Sequence, residues 1–423
     1  MRSCFFLFVS LLFIFSKPSY SLAEINSASS DVIIINDTAA TDQEKLKSFK
    51  DSIEKYQDAI EELESAQGAY AAPIAQQLIG LANIYEKNEK YYKAIEVLKR
   101  SIHVNKINEG LYSTSQIPIV FQLINNLKKS EQWILVNNNY HHLYQIYRRN
   151  YGNHDSELLD IELTRAKWYL RSFLSSFSGK PIEDLVNSYT AYYRAANLIA
   201  LQFGDSDIKL VQAYNGLMLT KHLLAIHMSN NATSPSNART VAHEVKSKYN
   251  SDMQRSSYKV GKFLIEREYE ILQKQTDTTD ASLIKNRLKL ADWHLVYNKR
   301  RSALKQYQST YQHALTLSNF TPEIESLFTQ PISLPNLPHL DGITRGHLDS
   351  ISAEERPKYA RVSIDITRHG DARNIEVTDA AYKDDVSQRI KIFRYLRNTK
   401  FRPKLINGAP VDTQKIPLYV LTR

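Results

Sequence analysis

Tyr56-Gln57-Asp58-Ala59-Ile60-Glu61-Glu62-Leu63 is echoed by Tyr91-Tyr92-Lys93-Ala94-Ile95-Glu96-Val97-Leu98, the Ala-Ile-Glu-x-Leu core being displaced by 35 residues. The apolar positions lie three and four apart, so each stretch is the buried face of a helix. Upstream, Leu46, Phe49, Ile53, Tyr56, Ile60 and Leu63 extend one such face, and Thr41 with Glu44 reads as a capping box. Downstream, helical periodicity persists to residue 318. A helical motif that returns at this interval marks stacked helix–turn–helix units.

The clearest unit places Leu78, Leu81, Ala82 and Tyr85 on a first helix and Ala94, Leu98 and Ser101 on a second. Small residues at 82 and 94 let two helices approach while Tyr85 fills the groove between them. These spacings resemble the tetratricopeptide repeat (TPR), although Lys106 stands where that family usually has proline. Weaker copies follow. Val120, Leu123, Leu127, Val136, Tyr140 and Leu143 fit the apolar positions, with Ile124 replacing the small residue, and Leu290, Ala291, Ala303 and Tyr307 fit a last unit. Tyr151-Gly152-Asn153-His154-Asp155 and Phe203-Gly204-Asp205-Ser206-Asp207 mark similar turns into new helices, as in longer-repeat TPR relatives. The span has room for five or six units, and between 155 and 275 an ordinary bundle is the alternative.

The sequence opens on a secretory signal over residues 1–23. Arg2 supplies the positive start, Phe5 to Phe15 the apolar core, and Ser21-Leu22-Ala23 the small residues of a cleavage site. That apolar run is shorter than the ~20 residues a membrane span needs, so the expectation is an exported chain with no transmembrane segment once mature. Cys4, the one cysteine, lies inside the signal, which leaves no disulfide or thiolate site beyond it. Residues 24–40 read as a flexible polar leader. The prolines at 322, 331, 335, 338 and 357 mark 319–357 as a linker.

After the linker the period changes to two. Val362, Ile364 and Ile366 alternate with Ser363, Asp365 and Thr367; beyond the turn at Gly370-Asp371, Ile375 and Val377 alternate with polar residues. This predicts a β-hairpin. A helix over 384–396 and a strand over 415–422 follow. The order, with Phe401-Arg402-Pro403 and Asn407-Gly408-Ala409-Pro410-Val411, resembles the TonB C-terminal domain over residues 358–423. The fold class expected is therefore mainly α, a TPR-like helical repeat array (α-solenoid) over 41–318, followed by a small α+β TonB-like domain.

No nucleophile elbow, phosphate loop or His-Glu-x-x-His stretch appears, and His141-His142 and the pair His222 and His227 are badly spaced for joint metal binding. The expectation is a protein without catalytic, metal or cofactor residues. The formal charge of +9 is distributed unevenly: residues 356–423 hold 15 basic against 7 acidic side chains, so the repeat array is close to neutral. Export removes nucleic acid as the natural partner. Arg389, Lys391, Arg394, Arg397, Lys400, Arg402 and Lys404 concentrate the charge and are the candidate partner-binding residues, with Tyr419 on a last strand expected at a sheet edge and open to strand addition. The functional expectation is a periplasmic, non-enzymatic scaffold of a Gram-negative bacterium that binds protein or peptide partners. The alternatives are docking of the basic module on anionic cell-wall or lipid groups and a TonB-like role in energy transduction.

Overall fold

The computed structural model describes residues 37–230, 241–317, 320–335, 346–347, 359–379 and 385–421. The signal-like segment and most of the leader lie outside the described residues. The chain divides after Ser52 into two units. Of the first, the described part is the opening of helix α1, Asp37–Gln67. That helix starts before Thr41, so Thr41 stands within it and not at its cap. Everything below belongs to the second unit, Ile53–Arg423.

Five helical hairpins follow among the described residues: α2 Ala72–Lys87 with α3 Tyr91–Glu109, α4 Gln116–Lys129 with α5 Trp133–Tyr151, α6 Glu157–Ser175 with α7 Pro181–Phe203, α8 Lys209–Asn230 with α9 Val241–Lys274, and α10 Asp280–Val296 with α11 Arg300–Thr316. Each helix packs on the next in sequence. The segment 155–275, where the repeat is hardest to read, holds two of these hairpins. Leu78, Leu81, Ala82 and Tyr85 on α2 and Ala94 and Leu98 on α3 are all buried. They lie on the two helices of the first hairpin, which pack on each other.

The turns explain the repeat better than the helices do. Gly68, Gly110 and Gly152 are spaced by 42 residues and end α1, α3 and α5 in the left-handed region, at φ +91°, +97° and +82°. A side chain there would meet the Cβ penalty that glycine avoids. In the last of these turns Asp155 accepts from the Glu157 N–H at 2.9 Å, and in the equivalent turn after Gly204, Asp207 accepts from the Lys209 N–H at 2.8 Å. The turns are then stapled to the following hairpin by a side-chain amide. Asn108 donates to Tyr70 O at 2.7 Å, Asn150 to Tyr112 O at 2.7 Å, Gln202 to His154 O at 2.9 Å and Gln275 to Ser206 O at 3.1 Å. At the opposite ends of the hairpins, Glu89 and Glu131 are left-handed and again 42 apart.

The proline-marked segment is folded where it is described. Thr321 caps helix α12, Pro322–Thr329, whose Ile324 and Phe328 are buried against α10 and α11. Strand β1, Ile332–Leu334, follows, and then β2, Gly346–His347. The C-terminal module adds β3 Tyr359–Ile366, β4 Ala372–Val377, helix α13 Val386–Asn398, β5 Lys400–Arg402, β6 Lys404–Ile406, β7 Ala409–Val411 and β8 Thr413–Leu421. Its main sheet has the order β2-β8-β3-β4, with antiparallel pairing throughout. Val362, Ile364, Ile366, Leu418 and Val420 make its core with Ile392 and Leu396 of α13. The fold is thus mainly α, a helical array followed by a small α+β module. One expectation is corrected. At Tyr419 and Val420 strand β8 is flanked on both sides, because β2 pairs with it there and β3 covers its other side. Tyr419 is therefore not at an open edge.

Candidate functional site

Two short strand pairs carry the module's sequence signature onto the end of the array. β5 pairs with β1, and β6 with β7. The last residue of β5, Arg402, is brought into the interior against α10. Its Nε donates to Asp292 Oδ1 at 2.9 Å, a second guanidinium nitrogen bonds Asp292 Oδ2, and a third donates to Leu327 O at 3.1 Å. Tyr307 of α11 donates to the same carboxylate at 2.7 Å. Arg402 is only 7% exposed, so a lone charge there would be costly, but the fork geometry satisfies it. Burial pulls the guanidinium pKa down, yet Asp292 outweighs it and the net direction is up. Burial, reinforced by Asp292, drives the Tyr307 phenol well above its ordinary value.

The glycine turns of the module complete the seam. The Phe401 N–H donates to Gly370 O at 2.9 Å. Gly370, at φ +74°, leaves no room for a Cβ beside Phe401 O and Leu295, and a Cβ on Gly408 would meet Tyr311 of α11 at 2.8 Å. Asp371 receives Lys400 and also faces Arg300 at 3.6 Å. Leu405 is buried in one cluster with Leu288, Leu295, Tyr307 and Phe328. The residues that read as a family signature therefore also fasten the module to α10 and α11.

The sequence-predicted basic set separates accordingly. Arg402 is an internal clamp and cannot meet a partner at the surface. Lys400 is half-buried against Asp371, and Lys404 is half-buried at the start of β6. Arg389, Lys391, Arg394 and Arg397 are all exposed on α13. Tyr419 is half-buried between Arg361 and His347 in the sheet register.

A second cluster, absent from the sequence expectation, lies on the first helices of the hairpins. Gln122 of α4 donates to Asn83 of α2 at 2.7 Å, one turn away Asn126 bonds Glu86, and Asn126 Oδ1 is buried with no partner. Asn83 is exposed and Gln122 half-buried. Further along, Glu162 Oε1 and Arg165 Nε of α6, Asn215 Nδ2 of α8, and Asn286 Nδ2 and Arg287 Nε of α10 are likewise buried without a hydrogen-bond partner. These atoms lie on α4, α6, α8 and α10, and Gln202 Oε1 of α7 is in the same state. No short motif encodes them; the only available signal was the run of amides in Asn125-Asn126 and their counterparts.

Two further polar clusters among the described residues are closed. Lys128 Nζ sits 5.1 Å from the centres of both the Tyr140 and Trp168 rings and donates to the Tyr140 hydroxyl at 2.8 Å, so this aromatic box holds its own cation. His222 Nδ1 meets the Tyr297 hydroxyl at 2.8 Å, which meets Ser257 at 2.6 Å. Burial pushes His222 down to about 4. Among the described residues no three His, Cys, Asp or Glu side chains gather as a metal site would require.

No family model matches the chain, and no curated protein matches it. Among solved structures, the crystal structure of BtubC (BKLC) from P. vanneervenii aligns with 66% of this chain and 93% of its own length. The identity is 13% and the TM-score 0.34.

Proposed function

We propose that the protein is a non-enzymatic interaction scaffold of the bacterial cell envelope, reaching the periplasm by the signal-like segment 1–23. In this reading the helical array binds an extended segment of a partner protein, and the C-terminal module supplies a second contact. The observation that carries it is the amide ladder between α2 and α4. Asn83 and Gln122 bond each other at the surface, and one turn along Asn126 bonds Glu86 beneath them. Buried polar atoms normally find partners, and amides that pair across two helices can exchange that bond for a peptide backbone at little net cost. The resemblance to TPR arrays, whose first helices line a binding face, points to the same residues.

The test is selection of unstructured peptides from a displayed library against the full chain. Selected peptides are expected to bind the parent and to lose at least tenfold in affinity against Asn83→Ala/Gln122→Ala. Both residues lie at or near the surface, so the variant keeps its fold to within about 1 kcal/mol. Peptides that bind parent and variant alike contradict this assignment.

A further inference from the structure

The geometry points to a second activity, docking of the outer flank of α13 on an anionic phospholipid bilayer. Val386, Ile390, Phe393 and Arg397 follow one another at i, i+4, i+7 and i+11, and therefore lie along one line of the helix. Arg389 flanks that line on one side and Arg394 on the other, and all six residues border one surface depression. Val386 is 64% exposed and Ile390 52%, although Ile392 and Leu396 of the same helix are buried in the module. An apolar ridge between arginines fits a surface that offers phosphate above and hydrocarbon directly beneath. A free anion or a purely polar cell-wall polymer would leave the ridge without a partner.

Charge balance within the module supports the same assignment. Asp371 is engaged by Lys400, Asp412 by Arg368, and Asp365 by Asn374 and the Lys415 N–H, while Asp385 caps α13 through the Gln388 N–H. These four of the module's seven acids thus have partners other than Arg394 and Arg397. Area argues against a helical protein partner. Thirteen residues give a helix of about 20 Å, so a ridge about 10 Å wide offers about 200 Å², against about 800 Å² per partner in a stable complex. Bilayer docking needs no such area, because a few inserted side chains and about two phosphate contacts, from Arg394 and Arg397, act together with a high local lipid density.

The full chain is expected to co-sediment with vesicles of 30% phosphatidylglycerol in phosphatidylcholine and to stay in solution with phosphatidylcholine alone. Arg394→Gln/Arg397→Gln should weaken partitioning about thirtyfold, the effect of about 1 kcal/mol from each of two guanidinium groups. Ile390→Ser should weaken it about fivefold through lost insertion. Lys87→Gln/Lys90→Gln, an equal charge change on the array, should leave it within about twofold. All these side chains are exposed, and a melt in common with the parent confirms folding. Absence of vesicle binding, equal binding to the neutral vesicles, or equal losses in the control pair would overturn the assignment. A partner with an acidic helix would show itself by the first of these. None of those outcomes touches the peptide-binding face on α2 and α4.

Discussion

Replacing Arg402 by Ala should open the seam between the module and the array. The substitution removes both guanidinium contacts to Asp292 and the bond to Leu327 O, and it leaves the Asp292 carboxylate buried on α10 with Tyr307 as its remaining donor. Breaking a buried pair from one side costs about 3–5 kcal/mol. The surviving Tyr307 bond offsets part of this, which places the loss at about 4 kcal/mol. Amide exchange followed by mass spectrometry reads it locally. The Phe401 N–H, bonded to Gly370 O at 2.9 Å, should exchange about a thousandfold faster if opening becomes easier by that amount. Arg402→Met with Asp292→Leu, which removes both charges and keeps most of the volume, should restore protection to within about tenfold of the parent. Less than a tenfold change in the single variant would refute the clamp. So would a double variant as open as the single one.

Other consequences follow from packing and burial. Gly216→Ala and Gly261→Ala add a Cβ where the Tyr192 and Trp293 rings already lie; each should lower stability by about 1–3 kcal/mol despite better helix propensity, measured by urea titration. Buried His222, held at about 4 against about 6.5 when unfolded, makes its contribution above pH 6.5. That contribution is lost as pH falls, because the unfolded chain takes up the proton first. Stability should therefore drop by about 3 kcal/mol between pH 7 and pH 4 from this group, and His222→Gln should flatten that part of the profile. Gly370→Ala, at positive φ and crowded by Phe401 O, should loosen β5 specifically, seen as faster exchange at 400–402 with α2 to α7 unchanged.

The helical character of residues 53–317 was legible because apolar side chains at three- and four-residue spacing are what a buried helix face requires. The true interval was harder to see. The 35-residue echo compares Ala59 of α1 with Ala94 of α3, but α3 runs two turns further before its glycine, so the turns repeat at 42. Gly68, Gly110 and Gly152 recorded this in plain view, since a glycine at a helix end needs no side-chain pattern to be recognised. The alternation that marks β3 and β4 was equally clear. Strands β1, β5, β6 and β7 are three residues each, too short for any period to emerge. Charge misled most at Arg402. A basic residue in a basic stretch reads as surface, and only the long-range approach of Asp292, 110 positions earlier in sequence, shows it to be interior. The prolines between 322 and 335 likewise signalled a linker, yet Pro322 opens α12 behind its Thr321 cap, where its missing N–H costs nothing.

The claim that the array is a peptide-binding scaffold meets its most direct test in calorimetric titration of one library-selected peptide into the parent chain and into Asn83→Ala/Gln122→Ala. Saturable one-to-one binding to the parent is expected, with a loss of at least tenfold in the variant and the two proteins melting together. Equal affinity for both, or selection that returns no binding peptide, would contradict it.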